Sequence, residues 1–422
     1  MKAFLGLALI GLMVAAVVIF IPRGGEVVVL GPQSVASEVE IVVSSTVKDG
    51  QPSEPIKDQD IEPQKPLVNP PKSIKAIYIT GWSASLPSRI ANVKRLAEEG
   101  LINAVVLDVK DYSGYLSYET NIELAEKVGA HDEPRIFFPN KIIKDLHDSG
   151  IYLIARISVF QDPKLALGRP DLAIKQASST KVWKDNKGLA WLDPAAQEVW
   201  DYVIEVGKDA RARGFDELNY DYIRFPSDGD LQNISYPFWN ESTPRHEIIR
   251  NFFSYLSRSL PEVPLSADLF GLVTVRYDDL GIGQVLEDAA PYFDAIAPMT
   301  YPSHYGAGFL GFANPAEHPY EIIDNALETS LYRIRKLQQN ASSTNPPQVT
   351  IRPWLQDFDL GADYDEVKVR AQIEAVEKWQ KQNPTLVDGW MLWSPSNIYT
   401  EKALYTIDKE DTLIDDSTST TD

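Results

Sequence analysis

The chain has 422 residues, 44% of them hydrophobic and none of them cysteine, and it carries a net charge of −20. That length accommodates a large core, and the missing thiols exclude disulfides, thiolate zinc sites and cysteine nucleophiles. The acidic balance argues against nucleic acid and anionic lipid headgroups, which need a basic surface.

Five histidines (His131, His147, His246, His304, His318) show no helix-face metal spacing, so no histidine-based metal site is expected. A carboxylate-only site for a hard cation stays open, but neither a metal nor a cofactor is assigned.

Phe4 to Ile21 form an apolar run between Lys2 and Arg23. Such a run is near the lower limit of about 18–20 residues for a bilayer-spanning helix. It ends in Val17-Val18-Ile19-Phe20-Ile21-Pro22, a poor cleavage site. Residues 1–22 are therefore read as a signal anchor holding the rest of the chain outside the cytoplasm at the cell membrane. A cleaved signal peptide and secretion are the alternative. Residues 23–72, rich in Pro, Ser, Val, Glu and Asp, predict a disordered linker, and 407–422 predict a disordered acidic tail.

Between them, residues 73–406 alternate two patterns. Short apolar runs at 76–82, 103–109, 151–158, 217–223, 263–268, 293–300, 348–355 and 389–394 read as strands. Amphipathic stretches at 87–99, 139–149, 194–213, 244–259, 319–339 and 364–382 read as helices. Gly100, Gly150 and Gly214 stand just past three of these, where a left-handed cap is wanted. Near-continuous apolar strands separated by helices imply a parallel sheet buried on both faces, and eight such units favour a closed (β/α)8 barrel. No glycine-rich phosphate-binding loop follows any strand.

A barrel of this kind carries its site at the carboxyl ends of its strands. There the polar residues collect: Asp108 and Lys110 on strand two, Arg156 on three, Asn219, Asp221 and Arg224 on four, and Ser266 and Asp268 on five. Tyr301 and His304 follow strand six, and Gln356 and Asp357 close strand seven. Period two places Asp108 with Lys110, Asn219 with Asp221, and Ser266 with Asp268, each pair facing the mouth. Asp357 has the opposite parity to Gln356.

Paired carboxylates across a mouth suit glycoside hydrolysis, one protonating the leaving oxygen and the other attacking or activating water. Asp221 is read as nucleophile or base, kept charged by Arg224 and Lys110. Asp268 is the acid/base, and Asp357 is the reserve. Trp82, Trp354 and Trp393 end strands one, seven and eight, as expected of a sugar-stacking rim or of core filling. The substrate-binding set is completed by Asp108, Lys110, Arg156, Asn219, Arg224, Tyr301, His304 and Gln356. Long insertions at 161–193 and 226–243 would shape a cleft, and 303–319 a lid.

The segments KAIYITGW (75–82), VLDVKDYSGY (106–115), GFDELNYDYIRFP (214–226) and APMTYPSHY (297–305) resemble those of the bacterial "putative glycoside hydrolase" TIM-barrel family. The resemblance covers the whole barrel and implies a distant relation to α-amylase-like hydrolases. In that wider group the strand-four aspartate is the nucleophile, which corresponds to Asp221. Its strand-five acid is typically glutamate, where this chain has Asp268. A chitinase-like Asp-Trp-Glu ending is absent, with Ile223 in the glutamate position.

The expected function is hydrolysis or transglycosylation of an envelope or extracellular polysaccharide. Two rivals stay open, a non-catalytic glycan-binding barrel and a membrane-anchored docking protein.

Overall fold

The structure is a computed structural model and describes residues 60–340 and 346–405. The expected anchor (1–22), the linker up to residue 59 and the tail (407–422) lie outside the described residues. Among the described residues no helix is long and apolar enough to cross a membrane.

Eight parallel strands close into a barrel. They are β1 (Ile74–Ile79), β2 (Ala104–Lys110), β3 (Tyr152–Ser158), β4 (Glu217–Asp221), β5 (Leu265–Phe270), β6 (Ala295–Met299), β7 in two pieces (Thr350–Ile351 and Trp354–Gln356) and β8 (Gly389–Trp393). Each strand pairs with the next, and β8 returns to β1 through Ile74↔Gly389 and Ile77↔Leu392. Strand seven breaks at Arg352-Pro353 because proline has no N–H for the ladder. Every residue of β2, β3 and β4 is buried, as an apolar strand between lumen and helix layer must be.

Six long helices surround the barrel: α1 (Pro87–Glu98), α2 (Pro139–His147), α3 (Gln197–Arg213), α4 (Arg245–Ser259), α5 (Pro319–Asn340) and α6 (Glu366–Gln382). Proline opens α1 and α2, where its missing N–H costs nothing, and the Asp365 carboxylate caps α6 by accepting from the Val367 and Lys368 N–H groups. The β5–β6 crossover has only a 3-10 turn (Gly271–Thr274) and one helical turn (Leu286–Ala289).

The core has two compartments. Outward strand residues and inner helix faces form one large apolar layer. The lumen holds a smaller set, including Ala76, Tyr78, Val106, Ile154, Trp354 and Met391, with Leu67 packed against it. Residues 60–72, read from composition as disordered linker, are in fact fixed to the barrel: the Leu67 N–H donates to Asp216 Oδ1 at 2.6 Å, and the Asn140 N–H to Asp60 Oδ2 at 2.8 Å. The two long insertions pair with each other, Lys175–Gln176 running antiparallel to Ile234–Ser235.

Gly389 opens β8 at φ +117°, and a Cβ there would lie 1.8 Å from the Ile74 carbonyl oxygen across the closing seam. Gly389→Ala is expected to destabilise the barrel by roughly 2–4 kcal/mol through backbone strain at a packed position. A thermal melt indistinguishable from wild type would show that the seam is looser than described.

Candidate active site

One guanidinium organises the barrel mouth. Register puts Asp108 of β2 beside Arg156 of β3, and Ser158 beside Asp221 of β4. The Arg156 side chain then reaches three carboxylates on three strands. Nη1 donates to Asp108 Oδ1 at 2.7 Å, Nη2 donates to Asp221 Oδ2, and Nε lies 3.6 Å from Asp268 Oδ2. All four side chains are nearly closed to solvent: Arg156 is 9% exposed, Asp221 5%, Asp108 2% and Asp268 1%.

The remaining lone pairs are also assigned. The Tyr78 hydroxyl donates to Asp108 Oδ2 at 2.5 Å. The backbone N–H of Tyr222 donates to Asp221 Oδ1 at 2.5 Å. Tyr222 holds φ +53°, a left-handed conformation costly for a side chain of its size. Strand four thus ends in a strained turn that folds its own N–H back onto the carboxylate.

Asp268 Oδ1 accepts from Trp354 Nε1 at 2.7 Å and from Asn219 Nδ2 at 2.9 Å. The Asn219 amide is oriented in turn from below. Ser266 donates its hydroxyl to Glu217 Oε1 at 2.5 Å and accepts from Asn219 Nδ2 at 3.0 Å. Glu217 is clasped by both terminal nitrogens of Arg352, at 3.0 to 3.2 Å. A buried ion pair therefore fixes the layer beneath the acids.

The electrostatics follow from burial. Removal from water pushes the Asp268 carboxyl up to about 8, with the Asp221 charge adding to the rise and Arg156 opposing it. Asp108 is raised by burial to about 6, held down by Arg156 and the Tyr78 hydroxyl. Since indole and amide N–H groups only donate, Asp268 Oδ1 is an acceptor, and the proton of the neutral acid belongs on Oδ2, facing Arg156.

Several expected site residues stand elsewhere. Lys110 does not share the inward face of Asp108, because the register shifts between these two residues and Lys110 pairs with the outward Ile157. Its ammonium donates to the Ser158 carbonyl at 2.7 Å and pairs with Asp162 at 2.8 Å, fully buried. Arg224 forms no ion pair with Asp221 either, so the cation beside Asp221 is Arg156. The reserve acid Asp357 accepts from the Thr400 N–H and hydroxyl, which pin the chain after β8. Gln356 is fully buried, tied to the Ser303 N–H and the Phe358 carbonyl.

The aromatic residues divide. Trp354 is buried and donates to Asp268, whereas Trp393 packs with Tyr301, Phe358 and Tyr78 in the lumen set at ring separations of 5.1 to 6.4 Å. His304 is exposed at the rim, its ring 5.3 Å from Tyr301. Trp82 is 61% exposed on the helical turn after β1, with the Arg135 guanidinium 5.3 Å from its ring. Trp183, Trp191 and Trp239 are buried in the insertions and pack loops. Tyr78 was not anticipated as a site residue, although its inward parity with Ala76 marks it.

Two cavities of about 430 and 420 Å³ meet at Tyr277 on the outer wall, beside the short β5–β6 crossover, and neither is lined by the acid cluster.

The fold and its site define the class, a (β/α)8 barrel with buried carboxylates meeting at its carboxyl face. Residues 76–399 match the family described as "putative glycosyl hydrolase domain", and the chain belongs to that family. A hypothetical protein from Ruminiclostridium thermocellum ATCC 27405 is 38% identical over 49% of this chain and 98% of its own, with TM-score 0.43. The glycoside hydrolase domain of PgaB (BpsB) from Bordetella bronchiseptica shares the fold at TM-score 0.55 and 12% identity, covering 77% of this chain and 95% of that one. The α-galactosidase TtGalA from Thermus thermophilus is 14% identical over 81% of this chain and 61% of its own, with TM-score 0.45. No curated protein matches the chain.

An aspartate that keeps its proton up to about 8 when folded, but only to about 4 when unfolded, binds more protons in the folded state throughout that window. Its contribution to stability therefore falls as pH rises from about 4 to about 8. Asp268→Asn is expected to flatten this decline, measured by urea denaturation at pH about 5 and about 8. A variant whose stability drops between those pH values as steeply as wild type would contradict the assignment.

Proposed function

We propose that the barrel hydrolyses or transglycosylates an envelope or extracellular polysaccharide, with Asp268 as the general acid and Asp221 as the carboxylate that attacks the anomeric carbon or activates water. One observation carries this reading. Asp221 and Asp268 meet at the same guanidinium, Asp221 in direct ion-pair contact and Asp268 at 3.6 Å, and burial raises the Asp268 carboxyl as a general acid needs.

Asp221 accepts from Arg156 Nη2 and from the Tyr222 N–H. Asp268 is buried and holds its proton at neutral pH, on the oxygen turned toward Arg156. Proton transfer from Oδ2 to a glycosidic oxygen leaves a carboxylate that Trp354, Asn219 and Arg156 are placed to receive. Asp108, tied to Tyr78 and Arg156, is a positioning residue that holds the guanidinium in place.

At 1% exposure, Asp268 is closed to solvent, in a lumen that also holds the packed rings of Tyr301, Phe358 and Trp393. That closure is the observation that favours a glycan-binding barrel without catalysis. Trp82, on the open rim, supplies a face for a sugar ring beyond the reacting one. The extracytoplasmic location in the proposal rests on the apolar run Phe4 to Ile21. The glycan class of substrate rests on the family match.

Assay of the full chain on a panel of bacterial polysaccharides tests the proposal. Asp221→Asn and Asp268→Asn are each expected to lower kcat by about 10³-fold or more while substrate still binds. Wild-type activity should decline on the alkaline side near pH 8, as Asp268 loses its proton. Glycan binding without turnover by the wild type would leave the binding barrel as the answer.

A further inference from the structure

The mouth contains a second buried arginine, and it is used quite differently from the first. Arg224 lies three residues beyond Asp221 and is 9% exposed. Its guanidinium carbon sits 4.7 Å from the Trp191 ring, 4.9 Å from Phe270 and 5.6 Å from Tyr222. Phe270 ends β5, two residues after Asp268. The cation therefore sits at the carboxyl ends of β4 and β5, within electrostatic reach of Asp221.

Only Nη1 has protein partners, the Phe225 carbonyl at 3.2 Å and the Ser227 hydroxyl at 3.0 Å. Among the described residues no carboxylate comes within ion-pair distance of Arg224, although Asp221, Asp228 and Asp185 are near enough to act on it through space. Among the described residues Nε and Nη2 have no acceptor, and neither is sealed from solvent.

A buried cation that served only to balance the acids would be paired with one, as Arg156 is. A guanidinium this buried and without a carboxylate partner is left incompletely compensated, and its open edge is free for water or for a ligand. Aromatic faces on three sides fix its plane, so the free edge presents two parallel donors, the arrangement that a carboxylate accepts in bidentate fashion.

We propose that Arg224 is the specificity residue of a subsite for the carboxylate of an acidic sugar, placing a uronate-type residue next to the bond to be cleaved. This rests on the glycan reading above and narrows it. The chain's net charge of −20 opposes a densely charged polyanion, so the fitting substrate carries its carboxylates sparsely, one acidic sugar among neutral ones.

The test is calorimetric binding of uronate-containing oligosaccharides, each compared with its carboxyl-reduced counterpart, to the full-length protein. The acidic member of a pair is expected to bind at least about tenfold more tightly, the worth of one charged hydrogen-bonding contact. Arg224→Met should bring the ratio close to one. Arg224→Lys, which keeps the charge but loses the fork, should restore part of it and guards against a folding defect in the methionine variant.

Equal binding of both members to the wild type overturns the subsite and leaves the glycan reading standing. A preference that survives Arg224→Met does the same. Binding of neither member in any pair overturns both.

Discussion

Arg156 meets three carboxylates in a lumen almost closed to water, and one positive charge cannot balance three negative ones there. Desolvation makes an uncompensated buried charge far more costly than a retained proton. At least one of the acids must therefore stay neutral at ordinary pH, and burial selects Asp268, the least exposed of the three. The difference between a proton-holding acid and a charged partner then follows from charge balance around one side chain. The donors on Asp268 Oδ1 add direction by leaving the proton to Oδ2, on the Arg156 side.

The barrel supplies the geometry this requires. Inward residues of adjacent strands come side by side, so Arg156 lies between Asp108 and Asn219 in one layer, with Ser158 beside Asp221 one step higher. Below them Glu217 and Arg352 fill the lumen as a buried ion pair, which orients Ser266 and, through it, the Asn219 amide. The cost of burying these charges is offset in part by the Arg352–Glu217 clasp and the Ser266 hydroxyl, while Asn219 Oδ1 and Arg352 Nε have no hydrogen-bond partner among the described residues. What it secures is one orientation for the groups above.

Much of this was legible in the sequence, for reasons that also explain what was not. Eight strands and six helices stand out because a parallel strand buried on both faces must be apolar, and a helix packed on it must be amphipathic. Period two then correctly placed Asp108, Asn219, Asp221, Ser266 and Asp268 in the lumen. It failed for Lys110, since a bulge is a property of two paired strands and one strand's composition does not record it. Asp357 looked like an available acid until the chain after β8 folded back to place Thr400 on it. The ordering of residues 60–72 was hidden for a similar reason: a proline-rich segment lacks its own core but can borrow one, as Leu67 does. The contrast between the two arginines was likewise invisible, because pairing depends on neighbours from other strands.

The most direct measurement is a carbon-13 titration of the aspartate carboxyls, with the Asp268 signal assigned by its loss in Asp268→Asn. One carboxyl is expected to titrate at about 8 and to shift downward when Asp221→Asn removes the neighbouring charge. Titration of Asp268 in the ordinary carboxylate range near about 4, unmoved by the change at Asp221, would contradict the charge balance on which the site is built.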